Sequence, residues 1–316
     1  MLAAWRLPYF SAVKFSTTIP RMSLRCRGPA IFLAIVTVCL FAREVTAQRP
    51  APAASGARIL LLPRRIVSGE RATLAVLDVN GRLTPGVTVN FSNGDRLTTD
   101  VTGRALFVAP LNPGVIFGSI AGRSGRVPAA ILLPGEAASA SIEISSAPRV
   151  ASLTDPFEIF GKSFCGDADS NQVTIAGQPA IVLASSPAAL VVLPPPDLQP
   201  GRATVEVSCA KRQAAPFSVT FAGLELEADS SPLKPGEHRA LTVRVRGTTA
   251  KIALGARNLA PEIAEPSGGN PARVSSSGGE ENVAKFEVTG RRNGSFLISI
   301  RLVPSAGRPL PANVPQ

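Results

Sequence analysis

Across residues 145–221, short apolar runs alternate with Gly, Pro, Asn and Asp. Punctuation this frequent leaves no room for helices and is the pattern of a small antiparallel β-sandwich. The same rhythm extends both ways. Upstream, residues 58–62, 72–78, 87–91, 105–109, 115–120 and 127–132 are predicted strands. The pairs Ser68-Gly69, Asn80-Gly81, Asn93-Gly94, Thr102-Gly103 and Pro113-Gly114 separate them as turns. Downstream, Leu224-Glu225-Leu226-Glu227 alternates strictly, as a half-buried strand does. The runs EHRALTVRVRG, AKIALGA, NVAKFEVTG and GSFLISIRLV continue it. Arg292-Asn293-Gly294-Ser295 predicts a hairpin between the last two, and residues 261–281 a long Gly/Ser/Pro-rich loop. No stretch shows sustained helical periodicity, so the chain is expected to be all-β, a tandem of sandwich domains.

The N-terminus carries an export signal. Arg25 and Arg27 precede an uncharged run, residues 30–42, followed by Val45-Thr46-Ala47. That order matches a basic region, an apolar core and small residues before a cleavage site, here between Ala47 and Gln48. Thirteen residues are too few to span a bilayer comfortably, so no permanent membrane anchor is expected. Met22 stands immediately before the basic region, so residues 1–21 are either an extension or lie upstream of the true start. Cys39 has Val38 where a lipoprotein site wants a small residue.

Loss of residues 1–47 leaves 27 Lys and Arg against 21 Asp and Glu, a net charge of +6 rather than +11. The cations are scattered, with short pairs such as Arg64-Arg65, Lys211-Arg212 and Arg291-Arg292. Without a basic stripe or stacking aromatics, no nucleic-acid partner is expected. Trp5 and Tyr9 are the only residues of their kinds, so the processed chain has neither. It keeps two cysteines, Cys165 and Cys209. In an oxidising compartment, with no Cys-x-x-Cys spacing, they are expected to form one disulfide closing a loop of about 45 residues.

Two resemblances follow. The strings PRVASL, FEIFGKSF, NQVTIAGQPAIVLASSPAALVVLPPP and GRATVEVS occur in the order of the IPT/TIG immunoglobulin-like domains, which residues 145–221 therefore resemble. Residues 57–133 are similar to bacterial Ig-like domains of the invasin/intimin type. The matching positions are Asp78, Gly81, Pro85, Gly86, Val89, Phe91, Thr99, Asp100, Gly103 and Ala105. A carboxypeptidase regulatory-like or prealbumin-like sandwich is the alternative for this domain. The likeness implies immunoglobulin-like folds and a setting in secreted or surface proteins, not a reaction.

Candidate sites are few. Gly161-Lys162-Ser163 mimics the end of a phosphate-binding loop, but Pro156 stands where that motif needs Gly. Asp167, Asp169 and Asn171 place three oxygen ligands at alternate positions and are the candidate calcium ligands. Gln172 and Gln178 occupy the Gly and Glu positions of an EF-hand and exclude that motif, and an acidic tip beside the disulfide is the other reading. His238, the only histidine, is expected at an exposed strand edge, and no Gly-x-Ser-x-Gly elbow accompanies a serine. Glu280-Glu281 lies in a solvated loop, the wrong setting for a general acid. Pro194-Pro195-Pro196 is expected to be a structural turn rather than a polyproline ligand.

The expected organisation is an extension and signal peptide (1–47), a flexible leader (48–56), a bacterial Ig-like sandwich (57–133) and a linker (134–146). An IPT/TIG-like sandwich (147–222), a third sandwich (223–304) and a disordered tail (305–316) complete it. Short connectors predict a semi-rigid rod. No catalysis and no cofactor are expected. The function expected is a surface, periplasmic or secreted interaction or adhesion module, meeting a protein partner at exposed sheet edges or loops. A glycan-binding accessory module is the alternative, weakened by the absence of Trp and Tyr.

Overall fold

The computed structural model describes residues 12–16, 58–137, 141–228, 231–258, 260–267, 271–274 and 282–303. The predicted signal peptide core, the Ala47/Gln48 cleavage site, Glu280-Glu281 and the tail lie outside the described residues. Within them the helical content is one turn at Pro134–Ala137 and a 3-10 turn at Ala168–Ser170. The rest is an all-β chain of three immunoglobulin-like sandwiches, each around its own core.

In the first domain, Ile59–Leu61, Arg71–Leu77 and Arg104–Val108 form one sheet. Arg65–Val67, Arg126–Leu132, Gly114–Ile120, Thr88–Phe91 and Arg96–Thr98 form the other. Pro63 splits the opening strand, because proline cannot donate to a ladder. Residues before it pair antiparallel with Arg71–Leu77, and residues after it pair parallel with Arg126–Leu132. The central domain repeats the device around Pro148, with Glu143–Ser146 in one sheet and Val150–Ser152 parallel to Phe217–Glu227 in the other. Its strand Gln178–Ser186 also changes sheet, through an irregularity between Val182 and Ala184.

Residues 134–146 are not a linker throughout. Ile142 is buried in the central core, and Glu143–Ser146 is that domain's first strand. Ala and Ser on both sides mask the apolar alternation of Ile142 and Ile144.

The junction between the first two domains is dense. Thr73 of one strand pairs with Ser185 of the other domain. The Thr73 hydroxyl donates to the Gly166 carbonyl at 2.9 Å and accepts from the Ala168 N–H at 3.2 Å. A Cβ on Gly166 would sit 2.0 Å from the Arg71 carbonyl oxygen, so only glycine admits this approach. Arg104, with 14% of its side chain exposed, reaches across to Asp169 at 2.7 Å and to the Val182 carbonyl at 2.8 Å. Ala75, Leu77 and Leu183 form a small apolar cluster beneath.

Between the second and third domains there is no connector. Strand Phe217–Glu227 runs through both, pairing with Gly201–Cys209 over its first half and with His238–Arg246 over its second. Phe221 belongs to the central core, Ala222 to the third. A shared strand, not a short linker, joins the two domains here.

The third domain packs the sheet of Phe217–Glu227, His238–Arg246, Val283–Gly290 and Ala264–Ser267 against Ser295–Val303, Ile252–Asn258 and Ala272–Val274. Val283–Gly290 and Ser295–Val303 lie in opposite sheets, so the predicted Asn293-Gly294 hairpin is instead a crossing between sheets. The N–H groups of Arg291 and Arg292 both bond the Ile263 carbonyl, and Gly294 packs against the Ile263 side chain. That anchor turns the chain out of its sheet. A further strand, Ala12–Ser16, lines the outer edge of Ser295–Val303.

Candidate functional site

The sandwich of the first domain is open along one side. Edge strands Arg96–Thr98 and Arg104–Val108 belong to opposite sheets, and between them lies a cleft of about 260 Å³. Phe91, Leu97, Phe107 and Ile116 line its floor, with Val108 and Pro110 on one lip. Phe91 and Phe107 meet at 5.4 Å between ring centroids, tilted by 39°. The opposite lip is the tip of the hairpin joining Thr88–Phe91 to Arg96–Thr98. There Gly94 takes φ +95°, and the Asn93 amide donates to the Asp95 carboxylate at 2.7 Å. Arg96 completes the polar rim.

Arg104–Val108 alternates as a strand must. Ala105 is buried and Phe107 half-buried, while Leu106 and Val108 are 47% and 61% exposed. Among the described residues its strand partner is Arg71–Leu77, which leaves its other backbone edge facing outward beside the cleft. A slot of this size falls below the roughly 300–1,000 Å³ of small-molecule pockets. It fits one bulky side chain or one sugar ring. Among the described residues, no group of three or more His, Cys, Asp and Glu side chains converges. The chemistry the cleft offers is binding: an apolar slot, a polar rim and a backbone edge.

The sequence-nominated residues lie elsewhere. Cys165 and Cys209 form a disulfide with Cα atoms 6.0 Å apart, linking the loop after Phe157–Lys162 to the end of Gly201–Cys209. Asn171 is buried beneath that loop; its Oδ1 accepts the Cys165 N–H and its Nδ2 donates to the carbonyls of Cys165 and Asp167. Asp167 caps the 3-10 turn by accepting the Asp169 N–H. Asp169 is held by Arg104. One oxygen of each of the three candidate calcium ligands thus braces the disulfide loop or the domain junction. Gly161 sits in a strand where a Cβ would come within 2.1 Å of the Glu143 carbonyl, so it serves packing, not phosphate. His238 is exposed, with Nδ1 at 2.9 Å from the Thr289 hydroxyl and 3.2 Å from Glu287. Pro194 and Pro195 are buried, which removes them as a ligand for an aromatic groove.

Two carboxylates stand out electrostatically, one at each junction. Burial pushes the Glu158 carboxyl up, opposed in part by Arg64 of the first domain at 3.1 Å. Burial likewise pushes Asp155 up, with Arg301 of the third domain 4.0 Å away and the Ser152 side chain bonding it. Only 16% of the Asp155 side chain is exposed. The folded state thus binds a proton on Asp155 more tightly than the unfolded chain does. Its ionisation costs stability as pH rises from the ordinary carboxylate value through the raised one. Asp155→Asn is expected to raise the melting temperature at pH 7, with the gain shrinking as pH falls through the raised value and gone below about 4. Melts of both proteins from pH 3 to 7 check this, and a loss of stability at pH 7 would count against it.

The cleft was not foreseen, because its walls are contributed by strands that no local pattern assigns to facing sheets. The Asn93-Gly94 turn was the one available signal for its rim.

No family model matches the chain, and no curated protein matches it. Among solved structures it is similar to SGBP-B of the Bacteroides ovatus mixed-linkage glucan utilization locus, in complex with a mixed-linkage heptasaccharide. That match is 13% identical, covers 76% of this chain and 72% of that one, and has a TM-score of 0.28. The BSP domain of a biofilm associated protein matches at 13% identity over 51% of this chain and 28% of that one, TM-score 0.25. The N-terminal four Ig domains of Dscam1 isoform 6.44 match at 12% identity over 76% and 73%, TM-score 0.25. The immunoglobulin-like assignment accordingly rests on the strand order itself.

Proposed function

We propose that this is a non-catalytic, exported interaction module that binds a protein partner through the open side of its first domain. The domains are read as an invasin/intimin-type and an IPT/TIG-type sandwich followed by a third of the same class. The Cys165–Cys209 disulfide supports export, since such bonds persist in oxidising compartments. The observation that carries the binding reading is Arg104–Val108, an edge strand with outward Leu106 and Val108 running beside an apolar slot. An added peptide strand would bond the edge and place one side chain in the slot.

Leu106→Asp with Val108→Asp tests it. Both positions are exposed, so stability should stay within about 0.5 kcal/mol of the parent. A photo-cross-linking residue at Thr102, on the turn entering the strand, should capture an envelope or secreted protein with the parent and lose it with the double variant. Equal capture by both proteins would sink the reading.

Phe117 favours a second reading. It is 39% exposed beside Val115 on the outer face of the five-stranded sheet, where its ring could cover a pyranose. Calorimetry with soluble glucan oligosaccharides, on parent and Phe117→Ala, decides this; heat that is unchanged by the substitution removes it.

A further inference from the structure

Strand Ser295–Val303 has two edges. One is filled by Ile252–Asn258, in register from Ala253 opposite Val303 to Asn258 opposite Ile298. The other is filled over residues 295–299 by Ala12–Ser16, antiparallel, from Ala12 opposite Ser299 to Ser16 opposite Ser295. Residues 12–16 precede the apolar core of the export signal, so cleavage after Ala47 takes them away. Among the described residues, the exported chain then has no strand along that edge. Natural sheets guard such edges with lysine, proline or a bulge. The run Ser295-Phe296-Leu297-Ile298-Ser299 contains neither residue, and the first charge is Arg301. Phe296 and Ile298 stay fixed in the core, 4% and 0% exposed, so the edge keeps its shape.

We propose that in the exported protein this edge receives an extended strand of another polypeptide, antiparallel to residues 295–299. The strand would carry apolar residues at the positions that Val13 and Phe15 hold opposite Ile298 and Phe296. This site is separate from the cleft of the first domain and rests on removal of residues 1–47. The backbone supplies the bonds, and the alternation of the incoming strand supplies selectivity.

The test uses the exported chain from Gln48 to Gln316, its N-terminus checked by mass spectrometry, and a labelled peptide FSAVKFSTT, the sequence of residues 10–18. Anisotropy should show saturable one-to-one binding, and hydrogen exchange should show new protection within residues 295–299. In an antiparallel pair only alternate residues bond the partner. Of two peptides, N-methylated at Val13 and Phe15 or at Ala12, Lys14 and Ser16, one should therefore lose affinity on the order of 100-fold and the other far less. The Leu106→Asp and Val108→Asp substitutions should leave this binding unchanged, which separates it from the cleft. An exported chain that retains residues 12–16, absence of peptide binding, or protection confined to other residues would overturn the proposal. Protection of 295–299 that grows with protein concentration without peptide would assign the edge to a second copy and overturn the foreign strand.

Discussion

Cys209→Ser is expected to lower the stability of the central domain by about 4 kcal/mol, the chain-entropy value for a loop of this length. Cys165 and Cys209 are 44 residues apart in sequence, and the bond fastens the loop holding Gly166 and Asp169 to strand Gly201–Cys209. That loop is also the central domain's contact with Thr73 and Arg104 of the first domain. Loss of the bond should therefore weaken the coupling between the two domains, separating a transition that they share when the protein is oxidised. Chemical denaturation of the parent, with and without reductant, and of Cys209→Ser should agree, with the reduced parent matching the variant. Equal midpoints for oxidised and reduced protein would show that packing alone holds the loop.

Gly247→Val should cost about 3 kcal/mol and detach the third domain as a cooperative unit. Gly247 takes φ +81°, a region where a side chain adds roughly 1–2 kcal/mol of strain. A Cβ there would also lie 2.6 Å from the Gly201 nitrogen and from Pro200 Cβ, and 2.8 Å from the Phe221 carbonyl oxygen. Forcing atoms into a packed junction typically adds another 1–3 kcal/mol. Gly236 supplies the control. It has nearly the same conformation, φ +82°, with nothing within 4 Å of its would-be Cβ. Gly236→Val then reports the backbone strain alone, and the difference between the variants reports the junction. Calorimetry should show two transitions for Gly247→Val and one fewer for Gly236→Val. Equal destabilisation by the two would mean that the close approach of Gly247 to Pro200 and Phe221 does not hold the domains together.

Much of the first domain was legible. The predicted strand at 72–78 lies at Arg71–Leu77, displaced by one residue, and that at 115–120 begins one residue earlier, at Gly114–Ile120. Turn glycines 69, 81, 94 and 103 all take positive φ. Two strands were not foreseen. Arg65–Val67 and Arg96–Thr98 are three residues long, too short to establish a period of two. The runs Asp78 to Gly81 and Asp100 to Gly103 form turns for a local reason. The Asp78 carboxylate accepts the N–H groups of Asn80 and Arg82, and the Asp100 carboxylate those of Thr102 and Arg104. With the Thr102 hydroxyl as the largest cause, these bonds hold Asp100 below the usual carboxylate range. Residues two to four apart settle such turns, so the sequence carries them.

The candidate site was less legible. The hairpin at Asn93-Gly94 and the alternation of Arg104–Val108 are both visible in the sequence, but their facing one another is not. Leu106 reads as a core residue by composition and is exposed because its face of the sheet is incompletely covered.

What the sequence determined by itself is the local chemistry: a β-rich chain, its turns, the Cys165–Cys209 pair and the strict alternation at 224–227. Each follows from forces acting over a few residues, or from counting. Tertiary structure decided what lies across from what. It turned the Asn293-Gly294 hairpin into a crossing between sheets, because the Ile263 carbonyl captures the N–H groups of Arg291 and Arg292. It passed one strand through two cores at Phe221 and Ala222, where alternation alone reads as an uninterrupted strand. It set Asp169 opposite Arg104, 65 residues away in the chain. Strand pairing and interdomain packing join residues of large sequence separation, and their energies depend on the partner found there, which a period of two does not encode.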